Sequence, residues 1–405
     1  MLANIPNTSS LYIRAPETYT KPDCGAEGAK LGRIVFLDYL RAIACLIVVF
    51  GHIYMVGVNS PSMVQIWAPA VTGKIFGDAY NVYDQAHVTV ALATGINVGA
   101  LGVGIFFLIS GFVIQRTLDR ERPFKFMIRR IFRIFPTCAA VVLLAAATIT
   151  LYCFLHDVPN PMSVANVLSS AFILNGFNFQ MQTVPVLWSL EVELMFYCIM
   201  AIASMFVGRL ELRDILSISA GCALFSIALS ALHLGISIAH VGATLNQITL
   251  ILVGSMIYRA WDDRWSIKSI AFCAASMGVF LLSYAAYSDL HDGTHTGIDI
   301  PNAAWSLLVF LAALVTKMEW KWLVPLKKLG DISYPLYLVH VPISWIAMTV
   351  FADLGFGLHL SCALAMTLVI ALAWAVHVLV EKPTHEAGRL ITGGSQTVYQ
   401  APFAT

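Results

Sequence analysis

The chain has 405 residues, of which 59% are hydrophobic and 12% charged, with a formal net charge of +1 and a mean hydropathy of +0.77. Soluble domains carry about 25% charged residues, so this composition excludes a soluble globular fold. The near-zero net charge offers no footing for nucleic acid, and the 8 cysteines form no CxxC pair, so neither a metal site nor a disulfide framework is expected.

Residues 1–33 are rich in Pro, Thr, Ser, Gly and Lys and read as a disordered tail without a cleavable signal peptide. Apolar runs near the ~20 residues that cross a bilayer core then recur at about 34–58, 97–114, 134–155, 186–207, 215–235, 241–258, 269–287, 302–316, 332–351 and 359–380. Lys and Arg together number 24, and all except Lys74 and Arg41 fall on one side of these runs. That bias marks the cytoplasmic side. The expected fold is an all-α, polytopic transmembrane helical bundle with about ten spans and both termini cytoplasmic. The membrane domain is expected over 34–383, between cytoplasmic tails at 1–33 and 384–405. Between the second and third spans, QRTLDRERPFKFMIRRIFR reads as the most basic loop, and Arg259 as part of another. Pro335 and Pro342 are expected to break the ninth span, and Pro383 to stop the tenth.

Charges in hydrocarbon cost about 2.5–3.5 kcal/mol each on insertion scales and mark function by default. The first span holds Asp38, Arg41 and His52. In a regular α-helix Arg41 and His52 share one face, ~16 Å apart along the axis. A cation that can hold phosphate below a titratable imidazole suits a long phosphorylated donor. An Asp38–Arg41 pair with a packing histidine explains the same spacing. Arg130 and Arg133 share a face of the third span, where guanidinium forks suit phosphate; positive-side anchoring accounts for them as well, and is the reading for Arg116, Arg120, Arg122 and Arg129. Glu191 and Glu193 in LWSLEVELMFY lie ~200° apart and cannot act as a pair, whereas Ser189 and Glu193 share a face. Tyr334, Tyr337 and His340 form a polar stripe in the ninth span that suggests a lined cavity. His233, His240 and His377 read as structural.

Taken together, LDYLRAIACLIVVFGH, GVGIFFLISGFVI, RRIFRIFP, LWSLEVELMFY, ISYPLYLVH and VEKP resemble, in order, the acyltransferase-3 family of bacterial membrane O-acyltransferases. The resemblance implies residence in the bacterial cytoplasmic (inner) membrane. It implies that Arg41 and His52 are needed for activity, with His52 catalytic, and that Arg130 and Arg133 hold the donor. The implied donor is acyl-CoA, usually acetyl-CoA, with no permanently bound cofactor. The implied acceptor is a hydroxyl of a surface glycan or lipid-linked sugar, with a small secreted metabolite as the alternative. Glu193 is expected beside His52 in catalysis, and Tyr337 and His340 with the arginines in substrate binding. Two departures stand out. Glu191 replaces the serine of the commoner LWSLSVEEQFY, and Gly104 stands where an acidic or amide residue is frequent. The long outer segment 59–96, with Tyr80, Tyr83, Asp84 and His87, is expected to shape acceptor choice. A transporter or flippase is the competing class; it often carries internal repeats, and none is visible here.

Overall fold

The computed structural model describes residues 34–57, 60–71, 75, 89, 93–178, 180–232, 236–290, 297–316 and 323–393. The expected tail 1–33, Tyr80, Tyr83, Asp84, His87, His233 and the chain beyond 393 lie outside the described residues.

Among the described residues, ten apolar helices follow one another in the expected order. They are α1 (Val35–Phe50, continued by a π-helical turn Gly51–Gly57), α3 (Val98–Leu118), α4 (Pro123–Leu155), α7 (Leu187–Val207), α8 (Leu212–Ala231), α9 (Ile236–Asp262), α10 (Ile267–Leu290), α11 (Ile300–Thr316), α13 (Ser333–Asp353) and α14 (Leu358–Val376, continued by a π-helical turn His377–Glu381). Nine are long and apolar enough to cross a membrane, and α11 is shorter at 17 residues. Short helices fill the joins: α2 (Pro61–Gln65), α5 (Val164–Ala171), α6 (Asn175–Asn178), α12 (Val324–Asp331) and α15 (Lys382–Ile391). No strand occurs among the described residues.

Lipid gives helices no hydrophobic reason to associate, so close approach at small residues must hold them together. The α3–α9 crossing shows this. A Cβ on Gly111 would lie 1.9 Å from the Ile251 carbonyl oxygen, and one on Gly254 would lie 2.2 Å from that of Leu108. The two backbones therefore touch. Helix α9 is the most enclosed span, packed by α3, α8 and α10, whereas α10 and α14 turn most of their surface outward.

Four expectations about the joins need correction. The basic segment before the third span is helical from Pro123 onward, because proline at the first helical position gives up no needed hydrogen bond. Arg130 and Arg133 therefore stand on a rigid helix. Arg259 is not in a loop: α9 carries it on, 2% exposed, and it gives both ends of its fork to Asp119 at 2.6 and 2.7 Å and a third bond to the Leu210 carbonyl at 2.7 Å. A paired and fully hydrogen-bonded guanidinium can be buried where a lone one cannot. Pro335 sits in the first turn of α13, where backbone N–H groups have no intrahelical partner, and leaves the helix intact; the break lies at Val341 before Pro342, with φ −123° and ψ 137°. Pro383 likewise opens α15 rather than ending the chain's helical course. Helix α15 packs on α4 so closely that a Cβ on Gly388 would lie 2.7 Å from Phe132 Cβ. Arg129, read as an anchor, donates to Thr392 at 2.8 Å and to Glu121 at 2.5 Å.

Candidate active site

Helices α1, α3, α4, α7 and α13 leave a cavity between them. Arg41 enters it from α1, Ser110 from α3, Arg130 and Arg133 from α4, Ser189, Glu193 and Tyr197 from α7, and Tyr334 and Tyr337 from α13. Three guanidinium groups thus meet one space inside an apolar bundle. Arg130 is seated on aromatic faces, 5.2 Å from the Phe126 centroid and 5.5 Å from that of Tyr197. Arg133 stands 3.9 Å from Glu381. Glu381 is itself tied to His377 at 2.6 Å. Among the described residues, neither fork is closed by a bidentate carboxylate in the way Asp119 closes Arg259, a geometry that leaves guanidinium donors for an anion.

The carboxylate of Glu193 takes hydrogen bonds from the Ser110 hydroxyl and, at 2.9 Å, from Tyr197. Ser189 and Tyr337 share a 2.6 Å hydrogen bond across the cavity wall, and Tyr334 donates to the Ile134 carbonyl at 2.9 Å. Ser189 and Glu193 do share a face, as their spacing requires. Glu191 points the opposite way, 4% exposed, where it accepts from Gly176 N–H at 3.0 Å and from His240 Nε2 at 2.9 Å. A Cβ on Gly176 would lie 1.9 Å from His240 Nε2 and 2.5 Å from Glu191 Oε2. In place of the commoner serine, Glu191 therefore ties α6 and α9 to α7.

Arg41, Arg130, Arg133, Glu193 and Tyr337 are brought together as cavity lining; His52 and His340 are not among the lining residues. They form a pair of their own, with ring centroids 4.9 Å apart and planes at 70°. Tyr337 joins the two groups: it lines the cavity, and its ring lies 5.8 Å from that of His340. The regular helix that aligned Arg41 with His52 ends at Phe50, and His52 belongs to the π-turn. Its Nδ1 lies 2.9 Å from the Val48 carbonyl, and His340 Nδ1 lies 2.7 Å from the Tyr337 carbonyl. A carbonyl only accepts, so in each neutral ring Nδ1 carries the proton and Nε2 keeps its lone pair. That is the tautomer a general base needs. Trp345 donates to the His52 carbonyl at 2.9 Å and so fixes the π-turn that carries it.

Sequence reasoning passed over Ser110, Tyr197 and Glu381. Tyr197 was findable, because it sits one turn beyond Glu193; Ser110, in a glycine-rich apolar run, gave no signal.

Helical spans around an arginine-lined cavity describe a multi-pass membrane protein, and comparison with known proteins supplies the chemistry. The acyltransferase-3 family profile, described as an acyltransferase domain, matches residues 34–378. The protein is a multi-pass membrane acyltransferase, and the chain belongs to the acyltransferase-3 family. It is 27% identical over 310 residues to the putative membrane-bound transacylase BcsY of Komagataeibacter xylinus, covering 70% of this chain and 76% of that one. It is 26% identical over 316 residues to the exopolysaccharide production protein ExoZ of Rhizobium meliloti (strain 1021), covering 72% of this chain and 91% of that one. No solved structure matches the chain significantly. The competing transporter reading falls with the family match.

Proposed function

We propose that the protein is an O-acyltransferase of the bacterial inner membrane that moves an acyl group, acetyl in the first instance, from acyl-CoA to a hydroxyl of an exopolysaccharide or its lipid-linked sugar precursor. The observation that carries this reading is the convergence of Arg41, Arg130 and Arg133 on one cavity that Tyr337 connects to the His52–His340 pair. The arginine-rich end faces the cytoplasm by the positive-side bias, which is where acyl-CoA is found. The relative ExoZ, named for exopolysaccharide production, supports a glycan acceptor. Acyl-CoA is a substrate here, and the reading needs no permanently bound cofactor.

In this mechanism the CoA phosphates are held by Arg130, Arg133 and Arg41. The pantetheine arm runs past Tyr337 and brings the thioester to His52. The Nε2 lone pair takes the acceptor's hydroxyl proton as its oxygen attacks the thioester carbon. The carbon–sulfur bond then breaks, and the proton on His52 passes to the departing thiolate. Glu193, fixed by Ser110 and Tyr197, stands in the same cavity as Arg130 and orients that guanidinium toward the donor.

The deciding experiment follows free thiol released from acetyl-CoA by purified protein in nanodiscs, with and without glycan precursor. Release that rises with precursor supports the reading; release that rises only with small hydroxylated metabolites moves the acceptor to that class; no release with any acyl-CoA overturns the donor. Arg133→Ala is expected to weaken coenzyme A binding about 10- to 100-fold, the loss of one or two charge-assisted hydrogen bonds. Arg133→Lys recovers part of this, because an ammonium keeps the charge but not the fork. Isothermal titration of each variant checks it, and an affinity equal to wild type removes Arg133 from the donor site.

A further inference from the structure

The mechanism above uses His52 and leaves His340 without a task. His340 is 0% exposed. Its Nδ1–H is committed to the Tyr337 carbonyl at 2.7 Å, and among the described residues its Nε2 has no hydrogen-bond partner. A buried acceptor without a partner is destabilising, and native folds rarely keep one without a use. The ring meets His52 edge to face, at 4.9 Å between centroids. It stands at the end of a helical stretch: the backbone leaves helical geometry at Val341, the next residue, and resumes after Pro342.

We propose that His340 is the positioning residue of His52, and that its Nε2 lone pair stabilises the positive charge His52 acquires on taking the acceptor's proton. The inference rests on the acyl-transfer reading above and assigns a partner to its base. The proton balance is unchanged. The acceptor's O–H bond breaks and His52 Nε2 gains the proton; the new O–C bond forms, the C–S bond breaks, and the proton moves to sulfur. His340 ends each cycle as it began. While both rings are neutral, neither carries a charge for the other to stabilise. Once His52 is protonated, its imidazolium lies 4.9 Å, centroid to centroid, from a ring whose Nε2 lone pair is uncommitted among the described residues. An interaction that exists only in the charged state lowers the barrier to transfer and leaves substrate affinity alone.

A purely structural histidine would owe its place to the Nδ1–H bond with Tyr337, and the two roles use different ring atoms. Glutamine extends an amide oxygen toward the position of Nε2, while asparagine keeps an amide N–H near the position of Nδ1. The test measures thiol release by wild type, His340→Gln and His340→Asn in nanodiscs across acetyl-CoA concentrations, with coenzyme A binding measured on each. The expected result is a kcat about 10- to 100-fold lower in His340→Asn, corresponding to the loss of a charge-stabilising interaction in the transition state, with KM within about twofold, and substantial recovery of kcat in His340→Gln. Wild-type kcat in His340→Asn, the reverse order of the two variants, equal losses in both, or a change confined to KM overturns the proposal. If His340→Gln fails to bind coenzyme A, the His340→Asn kcat alone decides. Absence of thiol release from wild type overturns the donor reading underneath, a result distinct from an active wild type indifferent to both substitutions.

Discussion

Alanine at His52 is expected to lower thiol release from acetyl-CoA about 10²–10⁴-fold, the usual contribution of a positioned general base, with coenzyme A affinity unchanged. The separation of sites predicts this split. The arginines and His52 occupy different spaces, joined through Tyr337, so removing the imidazole leaves the phosphate-binding donors where they were. Val48 O fixes the proton on Nδ1 and leaves the Nε2 lone pair of His52 for the acceptor's proton. Retention of more than a third of wild-type turnover by a variant that still binds coenzyme A would remove His52 from the chemistry. Rapid quench and mass spectrometry on the wild type separate direct transfer from an acetylated His52 intermediate.

The largest effect on stability is expected at Gly111. Alanine there places a carbon 1.9 Å from the Ile251 carbonyl oxygen, which is backbone and cannot rotate away. Helices α3 and α9 must move apart along their whole crossing. Overpacking costs about 1–3 kcal/mol in ordinary cores and more where backbone is in the way, so about 3 kcal/mol or more is expected. Gly221→Ala and Gly278→Ala serve as matched controls, because a Cβ at either meets nothing within 4 Å. Thermal unfolding in nanodiscs should show a large drop for Gly111→Ala and little change for the controls. Equal behaviour of all three would mean that the α3–α9 crossing is looser than the structure shows.

The ten helices were legible because hydropathy alone dictates a span: the bilayer leaves no alternative for ~20 apolar residues. Their ends were not. The segment around Pro123 read as a basic loop and Pro383 as a stop, yet each proline opens a helix, and Arg259 read as a loop cation, yet Asp119 lies 140 positions away in sequence and its burial of that charge leaves no local trace. Within the site, the opposite facing of Glu191 and Glu193 followed from helix geometry. The meeting of Arg41 with Arg130 and Arg133 rested on family resemblance, because spacing within one helix says nothing about which helices adjoin. The placement of His52 beside His340, apart from the arginine cavity, was hidden for two reasons. The π-turn departs from the assumed period, and the Val341–Pro342 break re-aims the helix just past His340.

Two spans close with π-helical turns, Gly51–Gly57 and His377–Glu381, and each carries a residue of the site, His52 in one and Glu381 in the other. Such a turn holds one residue more than an α-turn. A chain one residue shorter there would have the same hydropathy and the same charges, yet would close an ordinary turn and swing everything beyond it by ~100°. In these two stretches the count of residues carries information that their identities do not. Relatives that differ by substitution can keep the same geometry, while one that differs by a single gap must rebuild it.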